Sequence, residues 1–521
     1  MPPFEISEDS YYQIETDKPG EECGVFGLIF PGEEIESVIV NLTLAGLFLV
    51  QHRGEESAGI VTADGEKLSP ALKSMGKIRD GIFPKYLGLD VDGRKKLEGY
   101  IASAHTRYST TGSSTIENAG PFVCGEVGVS HNGNITNAER LKKFLMKMGV
   151  EFKATTDSEV IAALVEHAPG ANMDQKIQAA MRKLRGSFSL VIATPDALYG
   201  VRDGMGNRPL SLAEIHEEGT DKVGYALSSE TPAFYDLGFD LVRDIGPGEI
   251  VKLTKNDEGE VVLESLTYLD KKPKPAFCGL EIAYLMRPDA YINEAQLDTI
   301  RRALGTRLAE LSPPPSVEDI DFVTYVPESS RPAAEAFAEA IGKPTRTAML
   351  KGRYGTSLAN GAVRGFINPD QAARSQIARR YSPHDILIGK NIILVDDSIV
   401  RGTTTAGVVE VLRNRVGLYR DKSVGKIFLY IIFPPIKGPC YLGTDIGEND
   451  TLIARGKTIE QIAEELGVDG LFYLPSGEYQ DVVNREIGKE FPLCLACATL
   501  QQPELAFETE EAEATEVLFE E

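Results

Sequence analysis

Cysteine is scarce in this sequence, basic residues are outnumbered, and no long apolar run occurs. Six cysteines in 521 residues cannot form a disulfide framework at this length, so the fold must rest on a hydrophobic core. With 54 Lys and Arg against 78 Asp and Glu, the net charge is −24. Such a surface repels a nucleic-acid backbone, and a phosphorylated ligand would need a local pocket. No segment approaches the roughly 20 apolar residues of a membrane span. Residues 1–22 hold seven acids and one Lys and lack an apolar h-region, unlike a secretory signal. The cytoplasm, where thiols stay reduced, is the expected compartment. Six histidines without an H-E-x-x-H pair remove the zinc-hydrolase reading, and no repeat of about 20–50 residues is found.

What remains is an ordinary folded composition, 42% apolar with 50 Gly and 29 Pro, long enough for two or three domains. Cys23-Gly-Val-Phe-Gly-Leu-Ile-Phe reads as a strand that opens a domain. As far as about residue 253, strand-like runs such as Gly128-Val-Ser-His and Ser189-Leu-Val-Ile-Ala-Thr alternate with helical spacing. That mixture predicts an α+β layered domain. Periodicity lapses around 254–277, through Lys-Asn-Asp-Glu-Gly and Lys271-Lys-Pro-Lys-Pro, which reads as a linker. Farther on, Asn391-Ile-Ile-Leu-Val-Asp-Asp, a hydroxyl-rich loop, an apolar helical stretch and Ile427-Phe-Leu-Tyr-Ile-Ile-Phe have the spacing of a parallel βαβ unit. Glu504 to Glu521 holds eight Glu and no basic residue and reads as a solvated tail.

Three constellations could carry chemistry. Asp396 and Asp397 end an apolar strand before Ser398-Ile-Val-Arg401-Gly402-Thr403-Thr404. Loop N–H groups at a helix start suit a phosphate, and paired carboxylates suit sugar hydroxyls or Mg²⁺; the same residues could simply cap the helix. Cys494 and Cys497 form a C-x₂-C pair with Cys440 and Cys278 upstream. Four thiolates hold zinc or an iron–sulfur cluster, and four buried thiols that bind nothing fit the spacing equally. Cys23 fits packing as well as catalysis, and Cys124 reads as core. Around Cys23, however, the domain carries polar clusters that a core does not need: Gln51-His-Arg53, His105-Thr-Arg107, His131-Asn132-Gly133-Asn and Thr156-Asp157-Ser-Glu.

Taken in order from about residue 21 to 500, Glu-Glu-Cys23-Gly-Val-Phe-Gly, the Arg53, Arg107, Asn132-Gly133 and Asp157 segments, Val395-Asp-Asp-Ser-Ile-Val-Arg-Gly-Thr-Thr and the four cysteines resemble the glutamine phosphoribosylpyrophosphate amidotransferase family, specifically its iron–sulfur branch. The resemblance implies an N-terminal-nucleophile (Ntn) hydrolase αββα sandwich followed by a type I phosphoribosyltransferase domain with a parallel sheet. It divides the chain into a propeptide (1–22), an amidotransferase domain (23–255), a linker (256–277), a phosphoribosyltransferase domain with the cysteines (278–502) and an acidic tail (503–521). The implied reaction converts glutamine, water and phosphoribosyl pyrophosphate to 5-phosphoribosylamine, glutamate and pyrophosphate, the first step of purine nucleotide synthesis. Cys23 becomes the nucleophile, Asn132 and Gly133 the oxyanion donors, and Arg53, Arg107 and Asp157 the glutamine-binding set. Asp396, Asp397, Ser398, Arg401, Gly402, Thr403, Thr404, Lys351 and Arg364 would bind phosphoribosyl pyrophosphate, with Ser329, Asp396 and Asp397 around Mg²⁺. Cys278, Cys440, Cys494 and Cys497 would hold a [4Fe–4S] cluster. Homotetramers and inhibition by purine nucleotides are further family expectations.

The sequence departs from the family pattern at Pro327-Glu-Ser-Ser-Arg331 and in a lengthened loop from Lys351 through Arg364. Those departures leave two other functions open: a paralogue that delivers ammonia to a different phosphosugar, and a regulatory homologue that binds nucleotide without turnover.

Overall fold

The structure is a computed structural model that describes residues 23–30, 38–108, 114–217, 219–271, 273–351, 381–414, 416, 422–446 and 449–507. Its contacts divide the chain into two bodies. Among the described residues, the two large sheets of the first body are built from β1 (Gly24–Ile29), β2 (Ser57–Ala63), β3 (Leu72–Met75), β4 (Ile101–Arg107), β5 (Phe122–Cys124), β6 (Val127–Ile135), β7 (Gly186–Ala193), β8 (Ala197–Arg202), β9 (Ser211–His216), β10 (Val223–Ser228), β11 (Asp240–Asp244), β12 (Glu249–Lys255) and β13 (Val261–Thr267). They form two antiparallel sheets, in the orders β11-β9-β10-β1-β4-β2-β3 and β13-β12-β8-β7-β6-β5.

β1 is apolar throughout because both of its faces are covered. Its period-2 geometry sends Val25 and Ile29 into the layer between the sheets, against Val191, Leu198 and Leu253. Phe26 and Leu28 face the other way, toward Leu44 and Leu47 of α1 (Ile39–Leu49). On the second sheet, α2 (Ala138–Lys147), α3 (Asp157–His167) and α4 (Met173–Lys183) bury Leu141, Ile161, Leu164 and Ile177 against Val129, Leu190 and Val201. The layers are therefore αββα.

The second body carries a parallel sheet whose strands follow chain order: β14 (Phe322–Tyr325), β15 (Ile392–Asp396), β16 (Ile427–Ile431) and β17 (Gly470–Tyr473). Between them run α5 (Arg331–Ile341), α6 (Thr403–Asn414) and α7 (Ile459–Leu466). Leu394, Leu429, Val408, Leu412 and Ile462 share one core, as a sheet covered by crossover helices requires. Among the described residues, no helix is long and apolar enough to cross a membrane.

Three expected boundaries need correction. Residues 261–267 are not linker: β13 pairs with β12 along its whole length, from Glu249 opposite Thr267 to Lys255 opposite Val261. Asn256-Asp-Glu-Gly259 is the hairpin turn that joins them, with Gly259 N–H donating to Asn256 O at 3.0 Å. Segments 278–304, 438–446 and 475–502, expected in the second domain, group with the first body. They are stitched to it by Cys278 N to Asn207 O at 3.1 Å and by Ser187 Oγ to Leu442 O at 2.6 Å. Nor does the tail begin at 503. Ala506 is fully buried, Thr136 Oγ1 donates to its carbonyl at 2.6 Å, and Phe507 meets the Tyr441 ring edge-on at 5.3 Å.

Candidate active site

Cys23 stands at the entrance to β1, half-buried. Its thiol donates to the Tyr108 carbonyl at 3.7 Å. Gly24 pairs with Thr106 on β4, which brings Cys23 and Arg107 to the same end of adjacent strands. Arg53 lies behind this end with its side chain 1% exposed. Its Nε donates to Cys23 O at 3.2 Å, Nη1 to Glu230 at 2.8 Å and to Glu281 at 3.0 Å, and Nη2 to Glu281 at 2.7 Å. The family resemblance assigns Arg53 to glutamine binding; in this structure its guanidinium holds the backbone carbonyl of Cys23. Burial would raise the Glu230 carboxyl, but His52 at 2.8 Å and Arg53 outweigh it and hold the pKa down to about 2.

Arg107 is 4% exposed and paired with Glu56. On the facing sheet, β6 carries Asn132 and Gly133, and a Ser103–Ser130 hydrogen bond of 2.8 Å ties β4 to β6 across the sandwich. Asn132 is 1% exposed, yet neither its amide nitrogen nor its oxygen has a partner among the described residues. A buried amide left unpaired is costly, and a ligand group within reach of it could satisfy it. Gly133 has φ +147°, and a Cβ there would lie 2.1 Å from Ser187 O, so only glycine fits beside Asn132.

Asp157 opens α3, where the helix dipole favours a carboxylate. Its Oδ2 accepts Ile135 N–H at 2.9 Å, and Ser158 links it to His131 at 3.1 Å. It also lines a cavity of about 280 Å³ with Asn134, Thr136, Glu139, Lys142, Tyr441 and Phe507; Cys23, Arg107 and Asn132 are not among that lining. His105 and His131 are both 2% exposed. Burial, with His131 and Arg107 nearby, lowers the His105 pKa to about 3.

The four cysteines converge within the first body. Strands Phe277–Cys278 and Leu493–Cys494 run parallel with Cys278 opposite Cys494, and Cys497 lies on the following helical turn, Ala496–Thr499. Cys440 and Cys494 pack on Met205, Ala276, Leu442 and Ala506. Burial pushes the Cys494 thiol up to about 11. Cys497 is also raised, first by burial and then by Cys440, Cys278 and Cys494, so all three others are its electrostatic neighbours. Among the described residues, no three His, Cys, Asp or Glu side chains gather tightly enough to hold a single metal ion. Four thiols in one neighbourhood are the kind of donor set that either zinc or an iron–sulfur cluster takes. Cys124, away from this group, packs half-buried against the second sheet's core.

In the second body, Asp396 and Asp397 end β15 at 1% and 0% exposure. The carboxyl end of a parallel strand is where such sheets bind ligands. Asp396 Oδ1 accepts Asp397 N–H at 2.9 Å, and Ser329 Oγ donates to Asp397 Oδ2 at 3.0 Å. Ser398 Oγ is buried without a partner among the described residues. Gly402 has φ +81°, and a Cβ there would meet Ile453 Cδ1 at 2.3 Å, so the turn just before α6 requires glycine. Arg401 and Thr403 are half-buried and Thr404 is buried. Lys351 ends a short strand, Met349–Lys351, whereas Arg364 lies outside the described residues.

Residues 105–236 match the family model described as a glutamine amidotransferase domain. The amidophosphoribosyltransferase of Synechococcus elongatus is 39% identical over 495 residues, covering 94% of this chain and 92% of that protein. The chain belongs to the amidophosphoribosyltransferase family. The human amidophosphoribosyltransferase is 34% identical over 482 residues, with 87% of each chain covered. A solved glutamine phosphoribosylpyrophosphate amidotransferase from B. subtilis, complexed with ADP and GMP, matches with a TM-score of 0.76 at 32% identity, over 93% of this chain and 98% of that one. The first body is the family's Ntn amidotransferase domain, and the parallel sheet belongs to its phosphoribosyltransferase domain.

Within this family assignment, the structure adds residues that the sequence reading passed over. Glu230, Glu281 and Arg208 are fully buried charges around Arg53. Glu281 had a legible signal, as the lone charge in Phe277-Cys-Gly-Leu-Glu-Ile-Ala-Tyr-Leu. Glu230 and Arg208 stand in polar turns that give no such sign.

Proposed function

We propose that this chain cleaves glutamine at Cys23 and transfers the ammonia to phosphoribosyl pyrophosphate, yielding 5-phosphoribosylamine, glutamate and pyrophosphate as the first step of purine nucleotide synthesis. The observation that carries this reading is the collinear relationship to amidophosphoribosyltransferases across more than nine-tenths of the chain. Names of the relatives give no support to either alternative function.

The Cys23 thiolate attacks the side-chain amide, and the developing oxyanion takes hydrogen bonds from Asn132 Nδ2 and Gly133 N–H. Removal of residues 1–22 would free the Cys23 α-amine, a base with a reference pKa near 8. Arg107 would take the substrate carboxylate in place of Glu56, and Asp157 the ammonium. In the other body, the Asp397 carboxylate receives ribose hydroxyls, and the N–H groups from Ser398 to Thr404 receive the 5′-phosphate. Asp396 and Asp397 offer the oxygen ligands that Mg²⁺ prefers, and the ion would supply charge neutralisation for departing pyrophosphate. The four cysteines would hold a [4Fe–4S] cluster that cross-links segments distant in sequence. Inhibition by purine nucleotides follows the nucleotide complex of the B. subtilis relative, and a cytoplasmic homotetramer completes the proposal.

Purified protein given glutamine with and without phosphoribosyl pyrophosphate, while glutamate and pyrophosphate are measured, tests the reaction. Equal yields of both products support it; glutamate without pyrophosphate sinks it. For the cluster, anaerobic protein should be brown with about four iron and four sulfide per chain. Cys497→Ser should lose the metal and Cys124→Ser should keep it; one zinc per chain would overturn the assignment.

A further inference from the structure

Arg53, Glu281 and Arg208 form one buried relay of charges. It begins at the nucleophile, where Arg53 Nε holds Cys23 O at 3.2 Å. Glu281 accepts both Nη groups of Arg53, at 3.0 and 2.7 Å, and its Oε1 lies 3.5 Å from Arg208 Nη1. Arg208 passes the connection on: Nε donates to Leu442 O at 3.1 Å and Nη2 to Thr444 Oγ1 at 3.1 Å. Leu442 N–H in turn points to Cys440 Sγ at 3.3 Å. The three charged side chains are at most 1% exposed, and more than 200 residues of sequence separate Arg208 from its partners at Leu442 and Thr444.

We propose that Glu281 and Arg208 are positioning residues for glutamine cleavage, setting the backbone of Cys23 through Arg53 and making it depend on the 440–444 turn. The proposal rests on Cys23 being the nucleophile. Its physical basis is that a buried charge keeps its place only while all of its partners keep theirs. The Arg53 fork is held at both ends by Glu230 and Glu281, so its Nε has one orientation toward Cys23 O. Glu281 itself is fixed between two guanidiniums. If Arg208 shifts, Glu281 follows the remaining cation, and Arg53 turns with it. A reacting atom displaced by about 1 Å costs on the order of 100-fold in rate, so a small slip at the far end reaches the thiol as a large loss. No lysine at 208 could bridge Glu281, Leu442 O and Thr444 together, because one ammonium lacks the planar fork.

The test uses the full chain with Arg208→Lys, Thr444→Val and Thr444→Ser. Three quantities are measured: the rate at which an electrophilic diazoketone analogue of glutamine labels Cys23, located by peptide mass; kcat and KM for glutamine; and synthesis supported by ammonia alone. Arg208→Lys should slow labelling and lower kcat for glutamine by about tenfold or more, with KM changed by less than about threefold. Ammonia-supported synthesis should stay within about twofold of wild type. Thr444→Val, an isosteric change at the far end of the relay, should slow labelling by about two- to fourfold, and Thr444→Ser should restore it. Labelling within about twofold of wild type in both Arg208→Lys and Thr444→Val overturns the proposal. Should Arg208→Lys fail to fold, the Val and Ser pair at 444 decides alone. Wild-type Cys23 that never labels, or that labels without protection by glutamine, would instead defeat the functional reading on which the relay rests.

Discussion

The two bodies assemble their chemistry in opposite ways. In the parallel-sheet body, the acids, the hydroxyls and the glycine turn sit within nine consecutive residues, Asp396 to Thr404, on one strand, loop and helix. In the sandwich, Cys23, Arg53, Arg107, Asn132, Asp157, Glu230 and Glu281 come from segments spread over more than 250 residues. The local site needs one βαβ unit to be correct. The dispersed one needs two sheets in register and a buried set of charges that balance one another. Its geometry is therefore held by tertiary contacts whose loss is felt far away, whereas the loop site is held by the backbone of its own turn.

Cys23→Ala draws the comparison most sharply. Glutamine-dependent synthesis should fall by at least about 10⁴-fold, the scale on which removal of a nucleophile acts in covalent enzymes. Ammonia-supported synthesis should survive, because the Asp396 loop takes ammonia from solution. Loss of both in a folded variant would mean that the bodies cannot work apart.

A smaller effect is expected from Asn132→Ala, which removes one oxyanion donor: about 10²–10³ in kcat for glutamine with little change in KM. An unchanged kcat would leave the unpartnered amide without a purpose in the reaction. In the other body, Asp397→Asn should weaken phosphoribosyl pyrophosphate binding by about 1–3 kcal/mol, the worth of a hydrogen bond to a charged group. Calorimetry on the folded variant checks this, and an unaltered affinity would move the ribose site elsewhere.

A prediction on stability rather than activity concerns pH and the sandwich core. His105 titrates near 6.5 when exposed and near 3 in the fold, because burial and then His131 and Arg107 disfavour its charged form. Between those values the unfolded chain binds a proton that the fold refuses, so its contribution is full above pH 6.5 and is lost as pH falls toward 3. Glu230 adds to acid loss at lower pH, since its carboxyl is depressed from 4.5 to about 2. Denaturant melts should show His105→Gln flattening the decline below neutrality by up to about 1.4 kcal/mol per pH unit. Parallel curves for variant and wild type would show that His105 is protonated in the fold.

Much of this was legible in the residues. Asp396-Asp397 before a hydroxyl-rich loop stands out as a candidate ligand site because all the groups are neighbours in sequence, and the structure places them at the carboxyl end of a parallel strand. The strand at Cys23 was legible because burial on both faces leaves no polar break. Two expectations fail for one reason: polar punctuation does not by itself mark the end of a domain. Asn256 to Gly259 was read as the start of a linker, yet it is a hairpin turn within the sheet. The Glu-rich terminus was read as solvated from 503, yet Leu505 O accepts Gly186 N–H at 3.0 Å and Ala506 is buried. Local polarity reports solvent at a turn or a tail but is silent on which backbone lies beside it.

By itself the sequence determined which segments carry candidate reactive groups and, through its motifs and the family they resemble, the fold class of the two domains, since residue type and motif spacing are properties of neighbours along the chain. Only the tertiary structure decided that Arg53 donates to the Cys23 carbonyl, and that segments 278–304, 438–446 and 475–507 group with the amidotransferase body. The physical reason is the same for both. The partner of a buried charge, and the body on which a segment packs, depend on what lies across the core, and residues such as Glu281 and Leu442 meet Arg53 and Arg208 over separations of more than 200 positions. No local pattern encodes such a meeting.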